Sequence, residues 1–290
     1  MQLATAVIGD RETAVLIDAE RGVVAVDEVV NGHFPTALEV LSRFTAGEPQ
    51  ERLVVTAGHR FRPVDDVQFT APYRRPRKVW GIGLNYVEHA ADLAESSPTE
   101  EPASFIKGDH TIVGPGEAIP LPWQSERVTA EAELGLVIGR YCRDVSIEEA
   151  LDHVWGVVPV LDQTAEDILA RNPRFLTRAK NFPAFFSFGP HITPMRDVLA
   201  AFGDIASVAV ATVRNGVVHR ANTVANMMFS PRHLVSFHSR VMPLFPGDVI
   251  STGTPGAVQI HPGDVAECRI NGIGTLRNPV VAGAARPRIG

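Results

Sequence analysis

Residues Val128 to Gly139 read VTAEAELGLVIG, and this run decides how the rest of the chain is read. Side chains two apart on a strand share a face, so Glu131 and Glu133 point the same way. The second half, Leu134 to Ile138, is apolar at successive positions, the pattern of a strand covered on both sides. Two adjacent carboxylates repel. On an exposed strand water screens that repulsion, and the pair marks only a solvated face. At the rim of a buried run the same pair needs a cation beside it.

Outward from this run the pattern repeats. Apolar, β-branched stretches at Thr111 to Val113, Val154 to Leu161, Val208 to Val213, Val249 to Thr252 and Val265 to Ile270 are separated by Gly and Pro. Helical periodicity is sparse, so the chain reads as a β-rich α+β fold rather than alternating βαβ units. Two helix starts stand out. Ser146-Ile-Glu-Glu149 has the form of a capping box, and Ser230-Pro231 places an N-cap before a proline at the first helical position. Pro246-Gly-Asp-Val and Pro262-Gly-Asp-Val are two similar turns feeding strands. Before residue 75 come short β-type runs (Thr13 to Ile17, Gly22 to Val26) and one helix around Thr36 to Phe44. The Pro-rich, basic stretch Phe69 to Lys78 then marks a boundary. We expect a small N-terminal domain over 1–75 and a larger domain over 76–290.

Bulk properties exclude several function classes. The chain has 290 residues, 45% apolar and 21% charged, with a formal charge of -6 spread along its length, so no basic face for nucleic acid is expected. Cys142 and Cys268 are the only cysteines and fit neither a disulfide framework nor a zinc ribbon. Asp10, Arg11 and Glu12 interrupt the first apolar stretch too early for a signal peptide, and no run approaches the ~20 apolar residues that span a bilayer. A cytoplasmic protein without membrane contact is the expectation.

Asp162 closes the apolar run from Val154 and offers a third carboxylate. Three carboxylates suit a hard cation with positions left for water and substrate, and no His-Glu-x-x-His spacing occurs, so Mg²⁺ or Mn²⁺ is the expected metal. His89 and Asp92, three apart in GIGLNYVEHAADLAE (81–95), would share a helix face as half of a general-base arrangement. Lys180 stands between a polar loop and an apolar stretch, where burial beside carboxylates would let it hold a developing anion. Thr252-Gly-Thr-Pro255 follows a strand and can aim N–H groups and the Thr254 hydroxyl at an anion.

Read in order, these segments resemble the fumarylacetoacetate hydrolase family over roughly residues 79 to 281. The match runs through Gly83-Leu-Asn-Tyr86 with His89, Phe105-Ile-Lys107, Val113-Gly-Pro-Gly116, Glu131-Ala-Glu-Leu134 with Val137-Ile-Gly139, Asp162, Lys180, Gly189-Pro190, Asn215-Gly216, Asn222-Thr223, Pro246-Gly-Asp-Val-Ile250 and Thr252-Gly-Thr-Pro255. The resemblance implies a mixed β-sheet roll around a central pocket, a small N-terminal α/β domain and a homodimer. It implies Glu131, Glu133 and Asp162 as metal ligands, and His89 with Asp92 as the catalytic pair. It also implies Lys180 as the active-site lysine, and Gly253, Thr254 and Lys107 at the substrate. The sequence departs from the family in having Asp92 where Glu is usual, and Ala165-Glu166-Asp167 with Leu169 where an Ala-Arg-Asp run and a Gln are common. The implied reaction is hydrolysis of a carbon–carbon bond in a 2,4-dioxo acid through a metal-stabilised enolate. Decarboxylation and isomerisation of 2-oxo or hydroxymuconate-type acids use the same enolate. Outside catalysis, the pocket could serve a non-catalytic small-molecule binder.

Overall fold

The structure, a computed structural model, describes residues 1–45, 53, 55, 56, 58–87 and 99–285. Its strands are β1 (Gln2–Ile8), β2 (Arg11–Asp18), β3 (Gly22–Ala25), β4 (Gln68–Phe69), β5 (Val79–Gly83), β6 (Ala103–Lys107), β7 (Ile112–Val113), β8 (Ile119–Leu121) and β9 (Val128–Ile138). They continue with β10 (Val154–Ala165), β11 (Phe186–Phe188), β12 (His191–Pro194), β13 (Ala209–Arg214), β14 (Val217–Thr223), β15 (Val249–Ser251), β16 (Ala257–Gln259), β17 (Val265–Ile270) and β18 (Gly274–Ala282). The helices are short: α1 (Val26–Val29), α2 (Ala37–Thr45), α3 (Glu166–Arg171), α4 (Leu176–Lys180), α5 (Met195–Phe202) and α6 (Pro231–Val241). None of the described helices is long and apolar enough to cross a membrane.

The strands form two sheets, as a β-rich α+β chain requires. The larger runs β3-β2-β1-β12-β10-β9-β15-β5-β6, with β4, β7, β11 and β16 attached beside this path. The smaller runs β14-β13-β17-β18-β8. The long path ends at β3 and β6, so the sheet stays open. The N-terminal strands enter the large sheet through β1, which pairs antiparallel with β12 at Leu3↔Ile192 and Ala4↔His191.

The centre is the antiparallel pair β9 and β10, in which every residue of both strands is buried. Period-2 geometry gives β9 two unlike faces. Ala130, Ala132, Leu134, Leu136 and Ile138 join the core that includes Val210, Cys268 and Leu276 of the second sheet. The opposite face starts polar, at Thr129, Glu131 and Glu133, and ends apolar, with Val137 in a core shared with Val158, Val160 and the N-terminal Leu3 and Leu16. Apolar packing on both sides holds the polar stretch in place.

Local signals were met with two exceptions. The helix expected at Thr36 to Phe44 forms as α2. There the Thr36 hydroxyl and N–H both donate to Glu39 Oε2, at 2.6 and 2.9 Å. Ser230 caps α6 by accepting from the His233 N–H at 3.3 Å. The box at Ser146 also closes, with its hydroxyl donating to Glu149 at 3.0 Å and accepting the Glu149 N–H at 3.2 Å. It leads only into a 3-10 turn, Ala150–His153, because β10 begins at Val154 and leaves no room for an α-helix. Asp162 does not end its strand either. Gln163 and Thr164 continue β10 by pairing with Ala130 and Thr129.

Candidate metal centre and its cavity

Register makes the site. In the β9–β10 ladder Asp162 lies directly opposite Glu131, and Val160 opposite Glu133. Two carboxylates of one strand and a third from its neighbour therefore meet on one face, with one oxygen of each lying within 4.8 Å of the others. Glu131, Glu133 and Asp162 are only 5%, 1% and 0% exposed, so they lie inside the core and not at its rim. At an effective dielectric of about 20, unit charges that close repel by roughly 3–4 kcal/mol per pair. Such an arrangement persists only with counter-charge or with a proton on one carboxylate.

Two lysines supply part of it. Lys180, at the end of α4, donates to Asp162 Oδ2 at 2.7 Å and to Glu131 Oε2 at 2.9 Å. Lys107, at the end of β6, pairs with Asp162 Oδ1 from the other side. Neutral donors complete the shell. Ser251 Oγ and the Gly253 N–H (2.9 Å) donate to Glu133 Oε2, while Thr164 and Thr129 (3.3 Å) hydroxyls donate to Glu131 Oε1.

Three carboxylates still outnumber two ammonium groups. Burial, and next the Asp162 charge, push the Glu133 carboxyl well above the usual carboxylate range. Burial also pulls Lys107 down to about 8 against the opposing pull of Asp162. For Lys180 burial acts in the same downward direction, but the carboxylates of Asp162, Glu131 and Glu133 outweigh it and raise its pKa. A divalent cation would supply the missing positive charge, and an all-oxygen donor set on a rigid strand pair fits Mg²⁺ or Mn²⁺.

Beside the triad lies a cavity of about 260 Å³. Arg127, Glu131, Thr164, Glu166, Lys180 and Thr254 are its polar lining; Ile82, Leu84, Phe105, Leu169, Pro173 and Leu176 make up much of the rest. That is just under the roughly 300–1,000 Å³ of sites for drug-sized ligands, a size suited to a small metabolite. Thr254 Oγ1 exchanges 3.2 Å hydrogen bonds with the Gly256 backbone and lies 3.4 Å from Thr212 Oγ1. Its turn depends on Gly253, whose φ is +96°; a Cβ there would sit 2.8 Å from that of Asn85. Asn85, fully buried, clamps this turn by donating to the Thr252 carbonyl (2.8 Å) and the Phe229 carbonyl (3.0 Å).

The candidate residues thus divide. Glu131, Glu133, Asp162 and Lys180 converge, and Thr254 faces the cavity. Lys107 and Gly253, expected at the substrate, are instead committed to Asp162 and Glu133 and are absent from the cavity wall. His89 and Asp92 lie outside the described residues. Thr129, Thr164 and Ser251 went unnoticed in the sequence, although Thr129 and Thr164 continue the alternating polar rows Thr-x-Glu-x-Glu and Asp-x-Thr. Glu166 is buried at the start of α3, where burial and the Glu131 charge raise its pKa. Its carboxylate lies 3.9 Å from Arg127 Nη2.

Comparisons with known proteins agree with this architecture. The family model for the fumarylacetoacetate (FAA) hydrolase C-terminal domain matches residues 78–281. A mitochondrial oxaloacetate tautomerase of Homo sapiens is 33% identical over 228 residues, 76% of this chain and 71% of that one. Among solved structures, a fumarylacetoacetate hydrolase from Exiguobacterium antarcticum superimposes with a TM-score of 0.83 at 30% identity, covering 97% of this chain and 99% of that one. A 5-carboxymethyl-2-hydroxymuconate delta-isomerase from Mycobacterium smegmatis gives 0.77 at 30% identity, covering 98% and 100%.

Proposed function

Because the chain belongs to the fumarylacetoacetate hydrolase family, we propose that it is a divalent-metal-dependent enzyme that acts on a small 2-oxo acid through its enolate. The reaction we favour is hydrolysis of a carbon–carbon bond in a 2,4-dioxo acid. The observation that carries this reading is the under-compensated triad Glu131, Glu133 and Asp162 beside a small cavity. These three residues would hold Mg²⁺ or Mn²⁺. Bound there, the cation would supply Lewis-acid stabilisation of negative charge on the 2-oxo and carboxylate oxygens.

The chain's own groups do the rest. Lys180, fixed by Glu131 and Asp162, keeps a positive charge at the cavity wall where the enolate develops. The Thr254 proton, shared between Gly256 and Thr212, can be redirected to a substrate oxygen. His89 is the proposed base, oriented by Asp92, taking a proton from water as the water oxygen bonds to the distal carbonyl carbon. The bond between that carbon and C3 then breaks. Its electron pair passes to the enolate, and a proton returned to C3 gives the 2-oxo acid alongside the released carboxylic acid.

A second reading is keto–enol or double-bond isomerisation, favoured by the tautomerase and isomerase among the relatives. Purified protein with Mg²⁺ would be given acylpyruvates, oxaloacetate and a hydroxymuconate analogue while enol absorbance and products are followed. Acid release with loss of the enol supports hydrolysis; loss of the enol without acid release replaces it with isomerisation. Metal binding without turnover of any of these acids, unchanged by His89→Ala, would make the protein a non-catalytic binder.

A further inference from the structure

Glu133, one carboxylate of the triad, is held from behind by the turn after β15, and the hold passes through a single peptide. Ser251 Oγ and the Gly253 N–H both donate to Glu133 Oε2; among the described residues no donor takes Oε1, the oxygen left to serve a cation. The Gly253 N–H shares its peptide plane with the Thr252 carbonyl, and in a trans peptide the two point opposite ways. That carbonyl accepts from Asn85 Nδ2 at 2.8 Å. One peptide is thus gripped at both poles, by Glu133 and by Asn85.

The local chain does not fix this peptide by itself. Before it, the Thr252 N–H and hydroxyl both donate to the Leu134 carbonyl, at 3.1 and 2.8 Å, which anchors Thr252 but not the plane that follows. After it comes Gly253 at φ +96°, a residue type that accepts either sign of φ and so lets the plane turn over. Asn85 can prevent that turn. It is fully buried, its Nδ2 also donates to the Phe229 carbonyl at 3.0 Å, and its Oδ1 accepts the Phe229 N–H at 2.8 Å. With both amide protons and the amide oxygen engaged, the end of the side chain that faces Thr252 is determined.

We infer that Asn85 is a positioning residue of the metal centre: it locks the Thr252–Gly253 peptide, which keeps the Gly253 N–H on Glu133 and Thr254 at the cavity wall. This rests on the metal reading above and adds a residue that is itself absent from that wall. Removing a group that orients a metal ligand lowers metal affinity by about ten- to a hundredfold.

The test is the Kd for Mn²⁺ alone, read from the electron paramagnetic resonance signal of the free ion, with thermal melting to show that each variant is folded. Asn85→Ala is expected to raise the Kd at least about tenfold. Asn278→Ala is the matched control: Asn278 is also fully buried and donates to two carbonyls, those of Gly114 and Glu117, at 2.7 and 2.8 Å. It should lower the melting temperature and leave the Kd unchanged. Gly253→Ala disturbs the same peptide from its other end, since its Cβ would sit 2.8 Å from that of Asn85, and should weaken Mn²⁺ binding as Asn85→Ala does. It carries the test if Asn85→Ala does not fold. An unchanged Kd in folded Asn85→Ala or Gly253→Ala would overturn the inference, as would an equal loss in Asn278→Ala. In each case the metal reading would stand. If the unmodified protein does not bind Mn²⁺, the metal reading falls and takes this inference with it.

Discussion

Two of the buried charge groups among the described residues are built on opposite principles. Lys78 and Asp248 form one closed pair. Their side chains lie 2.7 Å apart, and Asp248 also accepts the N–H groups of Lys78 and Phe245, each at 2.9 Å. Charge and hydrogen-bond capacity balance, and nothing more is required of the site. The cluster around Glu131, Glu133 and Asp162 is as well buried, but its carboxylates exceed its lysines and it faces a cavity. A balanced pair ties segments together. An unbalanced cluster is retained because something else completes it.

Substitution should separate the two sharply. Asp162→Asn or Glu131→Gln is expected to lower turnover by roughly a thousandfold or more, since the several kcal/mol of charge stabilisation depends on these ligands. For Glu131→Gln thermal stability without metal should change little, because like-charge repulsion is relieved as one Lys180 contact is lost. Asp248→Ala should do the reverse. It strands the Lys78 ammonium and two N–H groups and should cost about 3–5 kcal/mol in denaturant unfolding, while the folded fraction keeps its metal response. If Asp248→Ala abolished metal binding in folded protein, the contrast would fail.

The partly buried His191 sharpens the comparison because no group of opposite charge among the described residues pairs with it. Burial pulls His191 down from 6.5 to about 4. The folded protein therefore holds it neutral, while the unfolded chain takes up a proton below about pH 6.5. The stability this residue contributes is complete above that pH and is lost as the pH falls from 6.5 through 4, by about 3–4 kcal/mol at most. His191→Gln should flatten unfolding free energy against pH in that window; an unchanged slope would show that other groups set it. The smallest effect is expected from metal itself. At a hundred times its Kd, Mg²⁺ or Mn²⁺ should add about 2.7 kcal/mol of stability to the unmodified protein and to folded Asp248→Ala, and none to Asp162→Asn.

Much of this contrast was legible in the sequence. Glu131 and Glu133 fall on one face by strand periodicity alone, and the apolar run after them announced burial. Asp162 could be named as a candidate, but its place opposite Glu131 depends on the register between β9 and β10, which no local pattern prints. Lys107 depends on long-range placement in the same way. Its sequence neighbours do not reveal that β6 delivers it to Asp162. The capping box at Ser146 formed its bonds but no α-helix, since helix length is set by where the next strand must start. The entry of β1 into the large sheet beside β12, across nearly 190 residues, is likewise a long-range pairing.

The central claim concerns where a cation sits. A crystal of the protein grown with Mn²⁺ and measured at the manganese absorption edge tests it directly. The account predicts one strong anomalous peak between the carboxylates of Glu131, Glu133 and Asp162, absent from crystals of Asp162→Asn. A fully ordered triad with no peak, or a peak bound elsewhere and untouched by that substitution, would contradict it.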